Sequence, residues 1–128
     1  MNGLLDTHSF LWWVLEDPRL SNVAHQFIAN PENKVFVSVA SAWEITIKAG
    51  IGKLQITGTP EMFIEKHIAS NGFQVLPIEL KHAVHTFQLP FHHRDPFDRI
   101  LIAQSRIEQM PLLTADSLIT QYTVNTLW

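Results

Sequence analysis

Short apolar runs alternate with longer segments of helical character along the whole chain, and this alternation limits the folds open to it. The runs are short and rich in the aliphatic and aromatic residues that strands favour. The segments between them carry apolar residues at helical spacing and are bounded by Ser, Pro, Asn or Gly. Apolar strands separated by helices are typical of a parallel sheet covered on both faces. The sequence therefore predicts an α/β fold, with a short parallel sheet and helices on both faces.

The pattern also predicts the bounds of the elements. Strands are predicted at residues 3–5, 34–37, 73–76 and 112–113, with a fifth at 124–127. Helices are predicted at residues 7–15, 21–28, 38–49, 60–70, 79–88 and 96–109, and a short helix is predicted after residue 116. Because no repeat, low-complexity segment or linker interrupts this order, residues 1–128 are predicted to form a single domain.

Composition narrows the class of protein. Hydrophobic residues make up 46% of the 128 residues and charged residues 16%, which predicts a packed core. The absence of cysteine excludes a disulfide scaffold and a thiolate metal site. The first apolar stretch is interrupted by Asp6 and His8, and no run reaches the roughly 18 apolar residues that a membrane span needs. We therefore expect a cytoplasmic protein with no membrane partner.

The net charge of −3 argues against a protein that only binds nucleic acid. Such proteins usually carry a basic excess, because Lys and Arg replace the counterions around phosphates. The charge still permits an enzyme that reaches phosphate through bound divalent cations.

Four acidic residues stand out by their positions. Asp6 and Asp116 follow predicted strands directly, at the sheet edge where α/β proteins bind ligands. Each has an ordinary alternative: Asp6 and Asp116 suit helix N-caps, and Asp98 suits the first turn of a helix. Glu44 and Lys48 are four residues apart and could form a surface ion pair.

The neighbours of two acids favour a site. Glu44 lies between Trp43 and Ile45, and Asp98 precedes the apolar segment 100–103. Carboxylates at the margin of a core pay a desolvation cost that a hard divalent cation offsets, and oxygen-only ligands suit Mg²⁺ or Mn²⁺. Two cations about 4 Å apart can activate water and stabilise the leaving oxygen in phosphodiester hydrolysis.

The segments LLDTH (4–8), SAWEI (41–45), DPFDRILIAQ (95–104) and LTAD (113–116) occur in this order. Together they resemble the PIN-domain nucleases, and most of all the VapC-type toxins of bacterial toxin–antitoxin pairs. The resemblance covers essentially the whole chain. It implies a Rossmann-like PIN domain that acts as a magnesium- or manganese-dependent endoribonuclease. It further implies an RNA substrate, a homodimer and inhibition by a cognate antitoxin protein.

The resemblance also implies roles for particular residues. It assigns metal binding and catalysis to Asp6, Glu44, Asp98 and Asp116, and support to the hydroxyls of Thr7 and Thr114. Asp95 competes with Asp98 for the third acidic position. Asp98 is preferred because it is directly joined to the segment ILIAQ.

Basic residues near these segments are candidate RNA contacts, namely Lys53, Arg94 and Arg99. Lys53 lies in a Gly-rich segment that fails the spacing of a phosphate-binding P-loop. His92 and His93 are predicted in a loop, where they could meet phosphate at low pH. His82 and His85 are three residues apart on a predicted helix, but no third metal ligand lies nearby in sequence.

Two other functions remain open. One is a degenerate domain that acts as a binding or regulatory module, which would have no need to keep all four acids. The other is an aspartyl-phosphate phosphohydrolase with Asp6 as nucleophile, which is disfavoured because His8 occupies the position of its second aspartate. The run from Phe10 to Trp13 cannot all face inward from one helix, so part of it is predicted to meet another protein.

Overall fold

The computed structural model describes all 128 residues. Its strands are β1 (Asn2–Leu5), β2 (Lys34–Ser38), β3 (Gln74–Leu76), β4 (Leu112–Leu113) and β5 (Thr126–Leu127). Its helices are α1 (Thr7–Val14), α2 (Asn22–Ala29), α3 (Val39–Gly50), α4 (Pro60–Asn71), α5 (Leu80–His85) and α6 (Pro96–Glu108), with 3-10 turns at Thr86–Gln88 and Ile119–Gln121. All strand pairs are parallel, and their order is β3-β2-β1-β4-β5. The predicted α/β fold is confirmed.

The strands β1, β2 and β4 are covered on both faces of the sheet, which explains why they are apolar without alternation. Leu4 and Leu5 are neighbours on β1, yet they belong to different hydrophobic clusters because successive strand residues point to opposite faces. Phe10 of α1 and Phe27 of α2 pack on the Leu5 side, and Leu101 of α6 packs on the Leu4 side. None of the helices has both the length and the apolar character needed to cross a lipid bilayer.

The strand order changes direction at β1. The chain adds β2 and β3 on one side of β1, and then β4 and β5 on the other. Leu5 at the end of β1 pairs in register with Leu113 at the end of β4. Asp6 and Thr114 therefore leave the sheet side by side, at the switch point where parallel sheets bind ligands.

The helix predicted at 79–88 and the strands predicted at 73–76 and 124–127 are shorter in the structure. The helix predicted at 79–88 ends at His85 and is followed by the 3-10 turn at Thr86–Gln88. Pro90 restricts the residue before it, Leu89, to extended backbone, so the helix cannot continue through this point. β3 omits Phe73, whose N–H instead bonds the Ile68 carbonyl at the end of α4. β5 omits Val124, whose N–H bonds the Tyr122 carbonyl rather than the neighbouring strand.

Candidate functional site

Asp6 is both a helix cap and a buried acid. It is the N-cap of α1, and its Oδ1 accepts the Ser9 N–H at 2.8 Å. The Ser9 hydroxyl donates to the Leu113 carbonyl at 2.8 Å and thereby ties α1 to β4. Burial raises the pKa of Asp6 above its ordinary value, although hydrogen bonds from Thr114 and Ser9 oppose this rise. The cap explains the position of Asp6 but leaves its buried negative charge uncompensated by any ion pair.

Glu44 lies on α3 beside the end of β1. Its side chain is only 4% exposed, and the Thr7 hydroxyl donates to its Oε1 at 2.7 Å. The Thr7 hydroxyl oxygen also lies 3.0 Å from the Ser41 hydroxyl oxygen, within hydrogen-bond distance. Lys48 Nζ lies 2.6 Å from Glu44 Oε2, and this hydrogen bond raises the pKa of Lys48. The pair anticipated between Glu44 and Lys48 therefore exists, but its acid is buried and only its lysine reaches the surface.

Asp95 and Asp98 have different surroundings. Asp95 is the N-cap of α6, and its Oδ1 accepts the N–H groups of Phe97 and Asp98 at 2.8 and 3.4 Å. Asp98 Oδ2 lies 3.0 Å from His93 Nε2. Burial, and then the charge of Asp95, raise the pKa of Asp98 to about 7. The charges of Asp6 and Glu44 also raise it, which places Asp98 among the acids of this site.

Thr114 and Asp116 extend the site from the end of β4. The buried Thr114 hydroxyl bonds the Asp6 carboxylate and accepts the Asp116 N–H at 3.0 Å. Asp116 Oδ1 accepts the Leu118 N–H at 2.8 Å, while its Oδ2 lies 2.9 Å from His93 Nε2. Thr114 thus links Asp6 to Asp116, and His93 links Asp116 to Asp98.

The structure brings all four predicted acids to one edge of the sheet. Asp98 and Asp116 reach within 4.8 Å of each other and of His93 through their ligand atoms. Glu44 joins them through Thr7, the residue next to Asp6. Lys48 is the only lysine or arginine in contact with these carboxylates, so negative charge is in excess there. Buried and half-buried carboxylate oxygens in excess of positive charge fit a hard divalent cation, and Mg²⁺ or Mn²⁺ match that donor set.

Two of the three predicted RNA contacts are accessible. Lys53 and Arg94 are exposed, on the loop after α3 and on the loop before α6. Arg99 is not: it is buried, and its guanidinium donates to the carbonyls of Pro90, Thr86 and Leu89 at 2.8, 2.9 and 3.2 Å. The prediction that Arg99 contacts RNA is therefore wrong, because its donors hold the loop before α6.

His93 is a site residue that the sequence did not reveal. His93 belongs to no recognised sequence motif, and the sequence predicts a loop histidine that meets phosphate. The structure instead turns its imidazole inward, with the side chain 10% exposed, onto Asp98 and Asp116. The only sequence signal is its position two residues before the α6 cap.

A second group of acids and histidine has a structural explanation. His82 is buried, its Nδ1 accepts the Glu79 N–H at 2.9 Å, and its Nε2 lies 2.8 Å from Glu108. Lys81 pairs with both glutamates at 3.3 Å and offsets part of their charge. His82 therefore caps α5 and joins it to α6, and His85 takes no part in the group.

The PIN domain family model matches residues 3–124 of the chain. Among curated proteins, no sequence matches this chain. Among solved structures, VapBC2 from Rickettsia felis bound to a promoter DNA fragment contains a chain with a TM-score of 0.70 at 12% identity, over 98% of this chain and 96% of that one. DNA-bound VapBC from Salmonella typhimurium contains a chain with a TM-score of 0.69 at 15% identity, over 98% of this chain and 96% of that one. A toxin–antitoxin complex from Klebsiella pneumoniae contains a chain with a TM-score of 0.59 at 18% identity, over 90% of this chain and 87% of that one. These three likenesses are likenesses of fold.

Proposed function

Because this chain belongs to the PIN domain family, we propose that it is a metal-dependent endoribonuclease that hydrolyses RNA phosphodiester bonds. The observation that carries the proposal is the convergence of Asp6, Glu44, Asp98 and Asp116 at the switch point of the sheet. A binding module gains nothing from burying carboxylates together, since each pays a desolvation cost.

The proposed ligands of Mg²⁺ or Mn²⁺ are the carboxylates of Asp6, Glu44, Asp98 and Asp116. Divalent cations held by these carboxylates would lower the pKa of water and offset the charge that develops on the leaving oxygen. Thr7 orients Glu44 through its 2.7 Å hydrogen bond, and Thr114 orients Asp6. Lys48 holds the second oxygen of Glu44, so that both carboxylate oxygens are fixed in direction.

The proposed RNA path runs beside these acids. A cleft of about 250 Å³ is lined by Thr7, Lys48 and Lys53, among others, and Lys53 is exposed. Exposed lysine beside a metal centre can hold a phosphate adjacent to the one being cleaved. Arg94 is exposed next to His93 and offers a second phosphate contact on the loop before α6.

The activity can be tested directly on RNA. We expect the purified protein to cleave a mixed RNA substrate with Mg²⁺ or Mn²⁺, and not with EDTA. The Glu44→Gln variant, purified in parallel, controls for contaminating nucleases, because it keeps the size of the side chain and removes its charge. A folded protein that binds Mn²⁺ but cleaves no RNA would instead indicate the regulatory module.

We also propose that the protein is a homodimeric cytoplasmic toxin held inactive by an antitoxin protein. The support is the family membership and the likeness of fold to a chain of a toxin–antitoxin complex. The structure offers a surface for a partner: a groove of about 670 Å³ is lined by Trp12 and Trp13, while Phe10 and Leu11 before them are buried. Half of the aromatic run thus faces inward and half lines a groove.

Alanine at Trp12 tests which partner uses this groove. Trp12 is half-buried: its ring packs against Trp128 at 5.7 Å and lies under the Arg19 guanidinium at 5.0 Å. We expect Trp12→Ala to weaken antitoxin binding by about thirtyfold, the usual effect of removing an aromatic anchor. Titration calorimetry measures the binding, and light scattering measures the dimer. Loss of the dimer would assign Trp12 to the protomer interface, and unfolding would make it core.

A further inference from the structure

The loop between the 3-10 turn at Thr86–Gln88 and α6 is held in one position by two side chains from elsewhere in the chain. Arg99 donates to the Leu89 and Pro90 carbonyls of this loop and to the Thr86 carbonyl of the turn, and the Tyr122 hydroxyl donates to the Pro90 carbonyl at 2.6 Å. The His93 N–H donates to the Tyr122 hydroxyl oxygen at 2.9 Å. These hydrogen bonds hold the backbone at His93 without any contribution from the acids that its side chain faces.

The hydrogen bonds of the imidazole fix its tautomer. The Asp95 N–H donates to His93 Nδ1 at 3.1 Å, so Nδ1 is an acceptor and carries no hydrogen. Nε2 must then carry the ring hydrogen. It lies 3.0 Å from Asp98 Oδ2 and 2.9 Å from Asp116 Oδ2, and can donate to both.

This arrangement is the reverse of a metal-binding histidine. A histidine ligand binds through one nitrogen and donates the N–H of the other to an acceptor. Here the far nitrogen, Nδ1, faces a donor, and the near nitrogen has no free lone pair for a cation. His93 is therefore built as a hydrogen-bond donor to the carboxylates and not as a ligand.

We propose that the Nε2–H of His93 occupies the cation position between Asp98 and Asp116, so that a divalent cation must displace His93 to be held by both carboxylates. The inference rests on the proposed metal site of the preceding subsection. His93 thereby limits cation binding at this pair, while it makes no ion pair with Asp6 or Glu44. It is a positioning residue that decides how readily the Asp98–Asp116 pair is loaded.

Binding of Mn²⁺ to the full-length protein tests the sign of the effect. Electron paramagnetic resonance at pH 8 measures free Mn²⁺ during titration of wild type, His93→Leu and His92→Leu. In His93→Leu the leucine side chain fills a similar volume without a donor, and we expect this variant to bind Mn²⁺ at the pair about tenfold more tightly, as expected when hydrogen bonds to charged groups no longer compete. His92 is exposed and has no contact with the acids, so His92→Leu serves as the matched control and should bind as wild type does.

Weaker binding by His93→Leu would make His93 a ligand, and unchanged binding would mean that it does not occupy the position. Either result overturns the proposal, as does the absence of Mn²⁺ binding by every protein. Tighter binding without RNA cleavage would support the role of His93 and count against the proposed nuclease activity. Failure of the proposal for His93 and failure of the proposed nuclease activity therefore give different results.

A measurement on wild-type protein covers the case in which His93→Leu fails to fold. Histidine ring ¹⁵N spectra report which nitrogen carries hydrogen. We expect His93 to be protonated at Nε2 without metal and to remain so with saturating Mg²⁺, while its signal shifts as its bond to the carboxylates is lost. Transfer of the hydrogen from Nε2 to Nδ1 on adding Mg²⁺ would show direct ligation, and an unshifted signal would show no competition. Either would overturn the proposal.

Discussion

Asp98→Asn is expected to lower the rate of RNA cleavage by on the order of a thousandfold, whereas Asp95→Asn is expected to stay within about a factor of three of wild type. The two residues are three apart, and the substitutions are chemically identical. They differ in what the carboxylate does: Asp95 caps α6 with its Oδ1, and Asp98 faces the other acids. Asparagine caps a helix about as well as aspartate, but it cannot replace a charged metal ligand.

Cleavage of an end-labelled RNA with excess enzyme measures both rates, and circular dichroism checks that both variants are folded. An active Asp98→Asn with an inactive Asp95→Asn would transfer the third acidic position to Asp95. Asp6→Asn and Glu44→Gln should lose activity as Asp98→Asn does, and double variants should lose little more, because the acids act as one unit. Asp116 is held at the rim of the site, and its loss should be milder.

The second large effect is on stability without metal. Burial and the charge of Asp95 raise the pKa of Asp98 from an ordinary 3.8 to about 7. The folded protein therefore keeps a proton that the unfolded chain releases near pH 4. The stability contributed by this proton is present below about pH 4 and is lost as the pH rises to 7. A pKa difference of one corresponds to about 1.4 kcal/mol. The rise from 3.8 to about 7 therefore lowers the free energy of unfolding at high pH by on the order of 4 kcal/mol at most.

We therefore expect metal-free wild type to be less stable at pH 8 than at pH 5, and Asp98→Asn to be more stable than wild type at pH 8. Mn²⁺ should restore wild-type stability at pH 8, by about 2.7 kcal/mol at a hundred times its dissociation constant. It should add little to Asp98→Asn. Urea unfolding with EDTA or MnCl₂ at the two pH values measures these differences. Equal stability of the two proteins at pH 8, with no response to Mn²⁺, would contradict a buried, metal-binding Asp98.

The sequence by itself determined the fold class and the edge of the sheet at which Asp6 and Asp116 lie. Hydrophobic periodicity, caps and prolines are local signals, and they located most strands and helices to within a residue or two. Asp6 and Asp116 follow strands in sequence, so a parallel sheet necessarily brings them to one edge. Glu44 and Asp98 were identified because apolar neighbours on a helix are an unusual setting for a solvated acid.

Only the tertiary structure decided which charged side chains turn into the site. Residues 91–95 form an irregular segment whose periodicity says nothing about direction, and its path depends on Arg99 and on Tyr122, 29 residues from His93. That path sends Arg99 inward, against the prediction of an RNA contact, and places His93 between Asp98 and Asp116. Local sequence patterns encode burial and backbone preference, whereas these contacts depend on long-range hydrogen bonds that exist only after the sheet and helices have packed.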